Sequence, residues 1–202
     1  MTTARDLALV ALGMPRDQRV ERGVLSLALA GAEAIDLLER GALTLDGDRM
    51  VPGPQTATGD RFLDQAFASL VRQEPYETVE DWLWRRGLEL AAAYLDDLER
   101  AGLIARPRGR GLRLRSASSA PADSPEHSRA EERRASGEPV LTALIVAAKI
   151  ADEPSETGDS LDGDAVTPVV AAVGDAVTQL EAERLRRGIE DAAFDNVWRG
   201  FV

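Results

Sequence analysis

The chain of 202 residues contains no cysteine and a single histidine, His127. Without cysteine it forms neither disulfides nor thiolate centres, which is compatible with a reducing cytoplasm. The sequence also lacks a nucleophile elbow, a phosphate-binding loop and a dinucleotide fingerprint. These absences predict that the protein is not an enzyme, has no catalytic residues and uses no cofactor.

Long apolar runs are also missing. The longest, Val140 to Ala151, contains a threonine and a lysine and is shorter than the roughly 20 residues that a membrane-spanning helix needs. Met1 to Arg22 does not show the charge and hydropathy pattern of a signal peptide. The sequence therefore predicts a soluble, cytoplasmic protein, in which any membrane association is peripheral.

Carboxylates are common, but their spacing suggests neither a catalytic site nor a metal-binding site. Glu33, Asp36 and Glu39 are spaced like a solvated helix face and have no accompanying base or nucleophile in the pattern. The acidic stretch Asp159 to Asp164 lacks the alternate spacing and the final glutamate of an EF-hand loop. We expect neither an active site nor a metal site from these groups.

Aromatic residues make up 4% of the chain, so its core must consist mainly of leucine, valine and alanine, which favours helices. Apolar residues recur at helical spacing. The predicted helices are a short one from Thr3 to Leu12 and five longer ones, Val24–Leu38, Asp60–Gln73, Val79–Arg100, Val140–Ala151 and Ala165–Arg187. Asp60 and Thr78 are the expected N-caps of two of them.

Two short segments after helices have the pattern of β-hairpins. The first, Ala42–Val51, turns at Asp46-Gly47, and the second, Leu103–Arg115, turns within a glycine- and arginine-rich stretch. The predicted fold class is therefore mainly α, a helical bundle core with one or two small β-hairpins. The second of these helices, Val24–Leu38, is apolar nearly all round, so we expect it to be central and buried.

Ser116 to Glu138 is rich in serine, alanine, proline and charge and has no apolar periodicity. Such a composition predicts a flexible internal loop that is dispensable for folding. We expect this loop to interrupt one domain that spans residues 1–202.

A cluster of arginines stands out in a chain whose net charge is −11. That net charge argues against attraction of the whole surface to nucleic acid or anionic lipid, so such binding must be local. The cluster alternates basic and apolar residues, namely Arg106, Arg108, Arg110, Leu112, Arg113, Leu114 and Arg115. Guanidinium groups suit phosphate contacts and leucines suit shallow membrane insertion. The simpler alternative is that these arginines face water or pair with acids elsewhere.

The order of several short motifs resembles that of the Golgi phosphoprotein 3 family. These motifs are Thr58-Gly-Asp60, Leu63-Asp64, Glu74-Pro75, Glu77-Thr-Val79 and Trp82-Leu83. Gly31 to Asp46 is similar to the family's small-residue helix, which ends in Arg-Gly before a strand, and Leu98 to Ile104 is similar to its Leu-Val-Glu-Lys-Gly-Ile-Leu segment. The resemblance covers residues 1–115 well and residues 140–202 loosely.

This resemblance implies a bacterial-type peripheral membrane adaptor. Members of the family bind phosphatidylinositol 4-phosphate through a basic pocket, insert a hairpin into the bilayer and hold cytoplasmic tails of membrane proteins. The three arginines of that pocket correspond to Ala30, Leu88 and Ala91 here, and no tryptophan precedes Gly31 as the family's pocket requires.

The predicted partner is therefore an anionic membrane lipid, with a phosphoinositide and cytoplasmic tails as implied possibilities and an oligomer left open. The predicted lipid-binding residues are the Arg106–Arg115 cluster together with Arg85 and Arg86, which lie near the unmatched pocket positions. The alternative is a winged-helix nucleic-acid binder, because a helix followed by Ala101-Gly-Leu103 and a basic two-stranded turn also describes a wing. The acidic net charge and the lack of an obvious basic recognition helix favour the adaptor.

Overall fold

The structure is a computed structural model that describes residues 2–14, 20–54, 57–104, 124–150 and 165–199. In chain order its elements are α1 (Thr3–Gly13), α2 (Arg22–Glu39), β1 (Leu43–Asp46), β2 (Arg49–Pro52), α3 (Arg61–Ser69), α4 (Val79–Arg86), α5 (Leu90–Arg100), α6 (Pro125–Ala135), α7 (Pro139–Ala147) and α8 (Val166–Arg199). The predicted mainly α fold with a small hairpin is confirmed. The second predicted hairpin falls, from residue 105 onward, outside the described residues.

Helix α2 is the centre of the bundle, as its sequence predicted. All its residues from Val24 to Leu37 are buried, and the helix packs against α1, α3, α4, α5, α7 and α8. A Cβ added at Gly31 would overlap the side chain of Val173, so the glycine lets α2 and α8 approach closely. Leu38, at the end of the predicted apolar stripe, is half-buried.

The predicted caps and the first turn are present. Asp60 Oδ1 accepts hydrogen bonds from the N–H groups of Phe62 and Leu63 at 2.9 and 3.1 Å. Thr78 Oγ1 accepts from the N–H of Asp81 at 3.0 Å. Each bond satisfies a donor that the first turn of a helix leaves free.

The hairpin follows α2 in the chain and is hydrogen-bonded to the start of α4. Strands β1 and β2 are antiparallel, and Gly47 occupies the turn with φ of 61°. The N–H of Met50 donates to the carbonyl oxygen of Glu77 at 2.9 Å, and the N–H of Val79 donates to that of Asp48 at 2.9 Å. These bonds hold the first residues of α4 against the hairpin.

Three predicted helix ends differ from the structure. Helix α3 ends at Ser69 instead of Gln73, where Arg85 donates to the Ser69 carbonyl oxygen at 3.0 Å. Helix α7 ends at Ala147 because Lys149 has a φ of 51° and the N–H of the buried Ile150 returns to the carbonyl oxygen of Ile145 at 2.9 Å. Helix α8 continues through Gly188 to Arg199, past the predicted end.

The loop predicted over residues 116–138 is wrong for residues 124–138, and its remainder lies outside the described residues. Ser124 Oγ accepts from the N–H of His127 at 3.1 Å, and Pro125 opens α6. Ala130 is fully buried where α6 packs against α1, and Arg133 forms an ion pair with Asp6 of α1. Ala130 is the one buried residue among residues 125–135 of α6, so hydrophobic periodicity did not indicate this helix.

Candidate functional site

The break between α4 and α5 lies directly against α2. The single helix predicted over residues 79–100 is wrong here, because Gly87 ends α4 and Glu89 adopts a left-handed conformation with φ of 60° before α5 begins. A Cβ at Gly87 would lie 3.3 Å from the carbonyl oxygen of Ser26 and 2.6 Å from that of Leu83. Glycine therefore allows the chain to approach α2 and change direction.

Ser26 of α2 caps the helix that follows this break. The side chain of Glu89, the N-cap residue of α5, makes no capping hydrogen bond, and the N–H of Ala91 donates instead to Ser26 Oγ at 3.1 Å. The bond is buried, and an unpaired buried N–H would cost ~1–3 kcal/mol. This contact fixes the start of α5 relative to α2.

Between these elements lies a pocket of about 330 Å³, which we call the junction pocket. It is lined by Arg22, Gly23, Ser26, Leu27, Trp84, Gly87, Leu88, Glu89, Ala91, Ala92 and Leu180. Most of these side chains are apolar, and Arg22 and Glu89 are the charged ones. Leu88 is 75% exposed and so lies at the rim. A concave, largely apolar surface with few polar groups is typical of a binding site.

Arg85, which the sequence suggested as a lipid ligand, is held by a carboxylate of its own chain. It donates from Nη2 to Glu77 Oε1 at 2.6 Å and from Nε to Oε2 at 3.1 Å, and Glu77 is itself buried. Its guanidinium lies 5.3 Å from the ring centroid of Trp82. Arg85 does not line the junction pocket, so binding a phosphate would require this ion pair to open.

Arg86, the other candidate on α4, pairs with Glu33 in the interior. Its Nε donates to Glu33 Oε2 at 2.7 Å and its Nη2 donates to Oε1 at 3.0 Å. Tyr94 of α5 donates its hydroxyl to the same Oε1 at 3.1 Å, and Arg86 also donates to the carbonyl oxygen of Phe62 on α3 at 3.3 Å. One buried ion pair thus joins α2, α3, α4 and α5.

The burial of Glu33 and Asp36 corrects the prediction that they lie on a solvated helix face. Glu33 is fully buried, and Asp36 is 2% exposed. Burial raises the pKa of Glu33 from 4.5 to about 7, against the opposing effect of the hydrogen bonds and charge of Arg86. The sequence did contain a sign of this burial. Helix α2 is apolar nearly all round, so a carboxylate on it has no solvated face to occupy.

Asp36 has a structural role at the start of α1. Its Oδ1 accepts from the N–H of Thr3 at 2.9 Å and its Oδ2 accepts from the N–H of Ala4 at 3.1 Å. The N-cap of α1 is Thr2, whose Oγ1 accepts from the N–H of Arg5 at 3.2 Å. Burial raises the pKa of Asp36 despite these bonds.

The main predicted lipid-binding segment lies outside the described residues. It comprises Arg106, Arg108, Arg110, Leu112, Arg113, Leu114 and Arg115, and the acidic stretch 159–164 is outside them too. Across the described ranges, histidine and carboxylate side chains do not gather in the groups of three that would suit a metal ion. No helix in those ranges combines the length and hydropathy of a bilayer-crossing segment.

These features define a mainly α protein whose open, largely apolar pocket is suited to binding. The model of the family described as Golgi phosphoprotein 3 (GPP34) matches residues 4–192. The chain therefore belongs to the Golgi phosphoprotein 3 family, as its order of motifs predicted. This family is generally one of non-enzymatic binding proteins. No curated protein matches the chain.

Proposed function

We propose that this protein is a peripheral membrane adaptor that binds anionic lipid at the cytoplasmic face of a membrane and holds the tails of membrane proteins. Its membership of the Golgi phosphoprotein 3 family carries the proposal, because an adaptor role is what that membership suggests. Two features of the structure support the adaptor proposal, namely the junction pocket and the exposed Leu88 at its rim.

The junction pocket includes two of the three positions at which the family's phosphate-binding arginines are expected. Leu88 and Ala91 both line the pocket. Ala30, at the third position, is fully buried, and its carbonyl oxygen accepts from Trp82 Nε1 at 3.1 Å. Trp84 also lines the pocket, so an indole is present although it comes from α4 instead of a segment before α2. The pocket thus has an aromatic wall without those three cations.

This chemistry favours weak headgroup selectivity. A phosphorylated inositol ring is bound by several charge-assisted hydrogen bonds, whereas the residues that line the junction pocket include one cation, Arg22, and one carboxylate, Glu89. We therefore propose that the attraction comes mainly from the Arg106–Arg115 segment, at roughly 1 kcal/mol for each basic residue near an anionic leaflet. Leu88 at the pocket rim, with Leu112 and Leu114, would add shallow apolar insertion.

Cosedimentation at low and high salt tests the proposal with three kinds of liposome: neutral ones, and phosphatidylserine-containing and phosphatidylinositol 4-phosphate-containing ones whose surface charges are equal. We expect salt-sensitive binding to both anionic liposomes and weaker binding by the Arg108→Glu/Arg110→Glu variant. The matched control is Arg72→Glu/Arg187→Glu, which makes the same change of charge at two exposed positions and should bind like the wild type.

Equal binding by the wild type and the Arg108→Glu/Arg110→Glu variant would remove this segment from the mechanism. Binding confined to phosphatidylinositol 4-phosphate would contradict the proposed lack of selectivity. DNA binding without liposome binding would favour the winged-helix alternative, for which the described residues offer no specific support.

A further inference from the structure

The two charged side chains of the junction pocket are not used by the fold. Arg22, the first residue of α2, and Glu89, the N-cap residue of α5, are both exposed. Within the described ranges, neither side chain takes part in a hydrogen bond or an ion pair. Nearby charges are paired, because Arg184 binds Glu21 and Arg86 binds Glu33. The junction pocket therefore offers a ligand one guanidinium and one carboxylate.

Glu89 lies at the pocket in a backbone conformation that is unusual for its type. Its φ of 60° and ψ of 6° are left-handed, and residues other than glycine seldom adopt these values. Such residues cluster at binding sites, where the surrounding structure imposes the conformation. A side chain at an N-cap usually caps its helix, but here Ser26 accepts from the N–H of Ala91 instead. The carboxylate of Glu89 is thus left available to a ligand.

The rest of the pocket combines an indole with aliphatic groups. Trp84 is half-buried in the wall, and the face of an indole attracts ammonium groups. The aliphatic side chains of the lining are those of Leu27, Leu88, Ala91, Ala92 and Leu180. The volume of about 330 Å³ is near the lower end of the range of about 300–1,000 Å³ for small-molecule sites. This size suits one compact group better than several residues of a peptide.

We propose that the junction pocket binds the zwitterionic headgroup of a membrane phospholipid, a phosphodiester that carries an ammonium group, as in phosphatidylethanolamine. Arg22 donates hydrogen bonds to the phosphate, and Glu89 accepts them from the ammonium, which also contacts Trp84. The aliphatic wall contacts the carbon atoms between and beside the two charges. This proposal rests on the adaptor function, because a membrane is what presents such a headgroup.

Charge complementarity selects this ligand over the alternatives. A phosphoinositide would bring several negative charges to the carboxylate of Glu89, and a phosphate without an ammonium group would leave that carboxylate unpaired. A basic peptide would leave Arg22 unpaired. A zwitterion pairs with both side chains. The preference is therefore for an ammonium group, and it is compatible with weak selectivity among anionic headgroups.

A titration in solution tests the pocket without a membrane. The full-length protein is titrated with glycerophosphoethanolamine, the soluble form of this headgroup, and the indole N–H of Trp84 is followed by nuclear magnetic resonance, which also detects weak binding. Glycerophosphoglycerol, a phosphodiester without an ammonium group, should bind at least about tenfold more weakly, which corresponds to about 1.4 kcal/mol.

Two substitutions separate the roles of the charged side chains. Glu89→Gln should remove the preference for glycerophosphoethanolamine, whereas Arg22→Gln should weaken the binding of both compounds. The matched controls are Glu80→Gln and Arg72→Gln, at exposed positions that do not line the pocket, and they should bind like the wild type. All four positions are exposed, so circular dichroism should show an unchanged fold.

Liposomes distinguish a lipid headgroup from a free phosphodiester. Two sets contain the same fraction of phosphatidylglycerol, and the remaining lipid is phosphatidylethanolamine in one set and an uncharged glycolipid in the other. Glu89→Gln should weaken cosedimentation with the first set and leave cosedimentation with the second unchanged. If the wild type sediments with neither set, the adaptor proposal fails, whereas the titration in solution reports on the pocket alone.

Three results would overturn the proposal. The first is equal affinity of the wild type for glycerophosphoethanolamine and glycerophosphoglycerol. The second is a Glu89→Gln variant that keeps the wild-type preference in solution. The third is a Glu89→Gln variant that loses this preference but sediments with phosphatidylethanolamine liposomes like the wild type, which would make the ligand a soluble phosphodiester instead of a lipid.

Discussion

Replacing Glu33 with glutamine should make the stability of this protein less dependent on pH. The pKa of Glu33 is raised by burial to about 7, from 4.5 in the absence of the fold. Between these two values the folded protein keeps a proton that the unfolded chain has released. The stabilising contribution is therefore complete below the unfolded value and is lost as the pH rises through about 7.

The size of this effect follows from the two pKa values. From about pH 5 to about pH 8, linkage lowers the free energy of unfolding by about 2.5 kcal/mol. Glutamine has nearly the same shape and keeps an oxygen that accepts from Arg86 and Tyr94, but it does not ionise. The free energy of unfolding of Glu33→Gln relative to the wild type should therefore rise by about 2.5 kcal/mol over that pH range.

Urea unfolding followed by tryptophan fluorescence measures this difference, since Trp82 is fully buried in the folded protein. Glu80→Gln is the matched control, because Glu80 is an exposed glutamate on α4, the helix that carries Arg86. A difference between Glu33→Gln and the wild type that stays constant with pH would refute the reasoning. It would mean that the carboxyl of Glu33 ionises in the fold as it does in the unfolded chain.

Three further changes test how the bundle is held together. Asp36→Asn weakens the capping of α1 and should lower the free energy of unfolding by about 1 kcal/mol. Gly31→Ala should lower the free energy of unfolding by ~1–3 kcal/mol, because the new methyl group overlaps Val173. Urea unfolding at neutral pH measures the effect of both substitutions. Wild-type stability in either variant would argue against the contact that the substitution changes. Replacing residues 116–123 with a glycine-serine linker of equal length should leave the melting temperature nearly unchanged. Extending the replacement through residues 124–138 should lower the melting temperature, because α6 packs on α1. Equal melting temperatures for the shorter and the longer replacement would mean that the whole segment 116–138 is dispensable for folding.

Features that depend on neighbouring residues were predicted well from the sequence. The caps at Asp60 and Thr78 and the turn at Gly47 each need only a side chain or a backbone conformation within a few residues. The position of α2 at the centre of the bundle was also predictable, because a helix that is apolar nearly all round must be surrounded. The order of motifs was specific enough to identify the family.

The candidate site was less predictable, because its geometry depends on contacts between distant residues. Periodicity continued across Gly87, so the sequence pattern did not show that the chain would turn there against Ser26 and open the junction pocket. Arg85 and Arg86 were predicted from their place in the sequence. Their ion pairs with Glu77 and Glu33 became visible only in the fold.

The amino-acid sequence by itself determined the helical class, the central helix, the local caps and turns and the family. These follow from hydrophobic spacing and from hydrogen bonds within a few residues. Only the tertiary structure decided that Glu33 is buried against Arg86, that α6 forms, and that Leu185 and Ile189 of α8 lie in water. The physical reason is that burial and ion pairing depend on which distant atoms come within a few ångströms, and helical spacing does not specify those atoms.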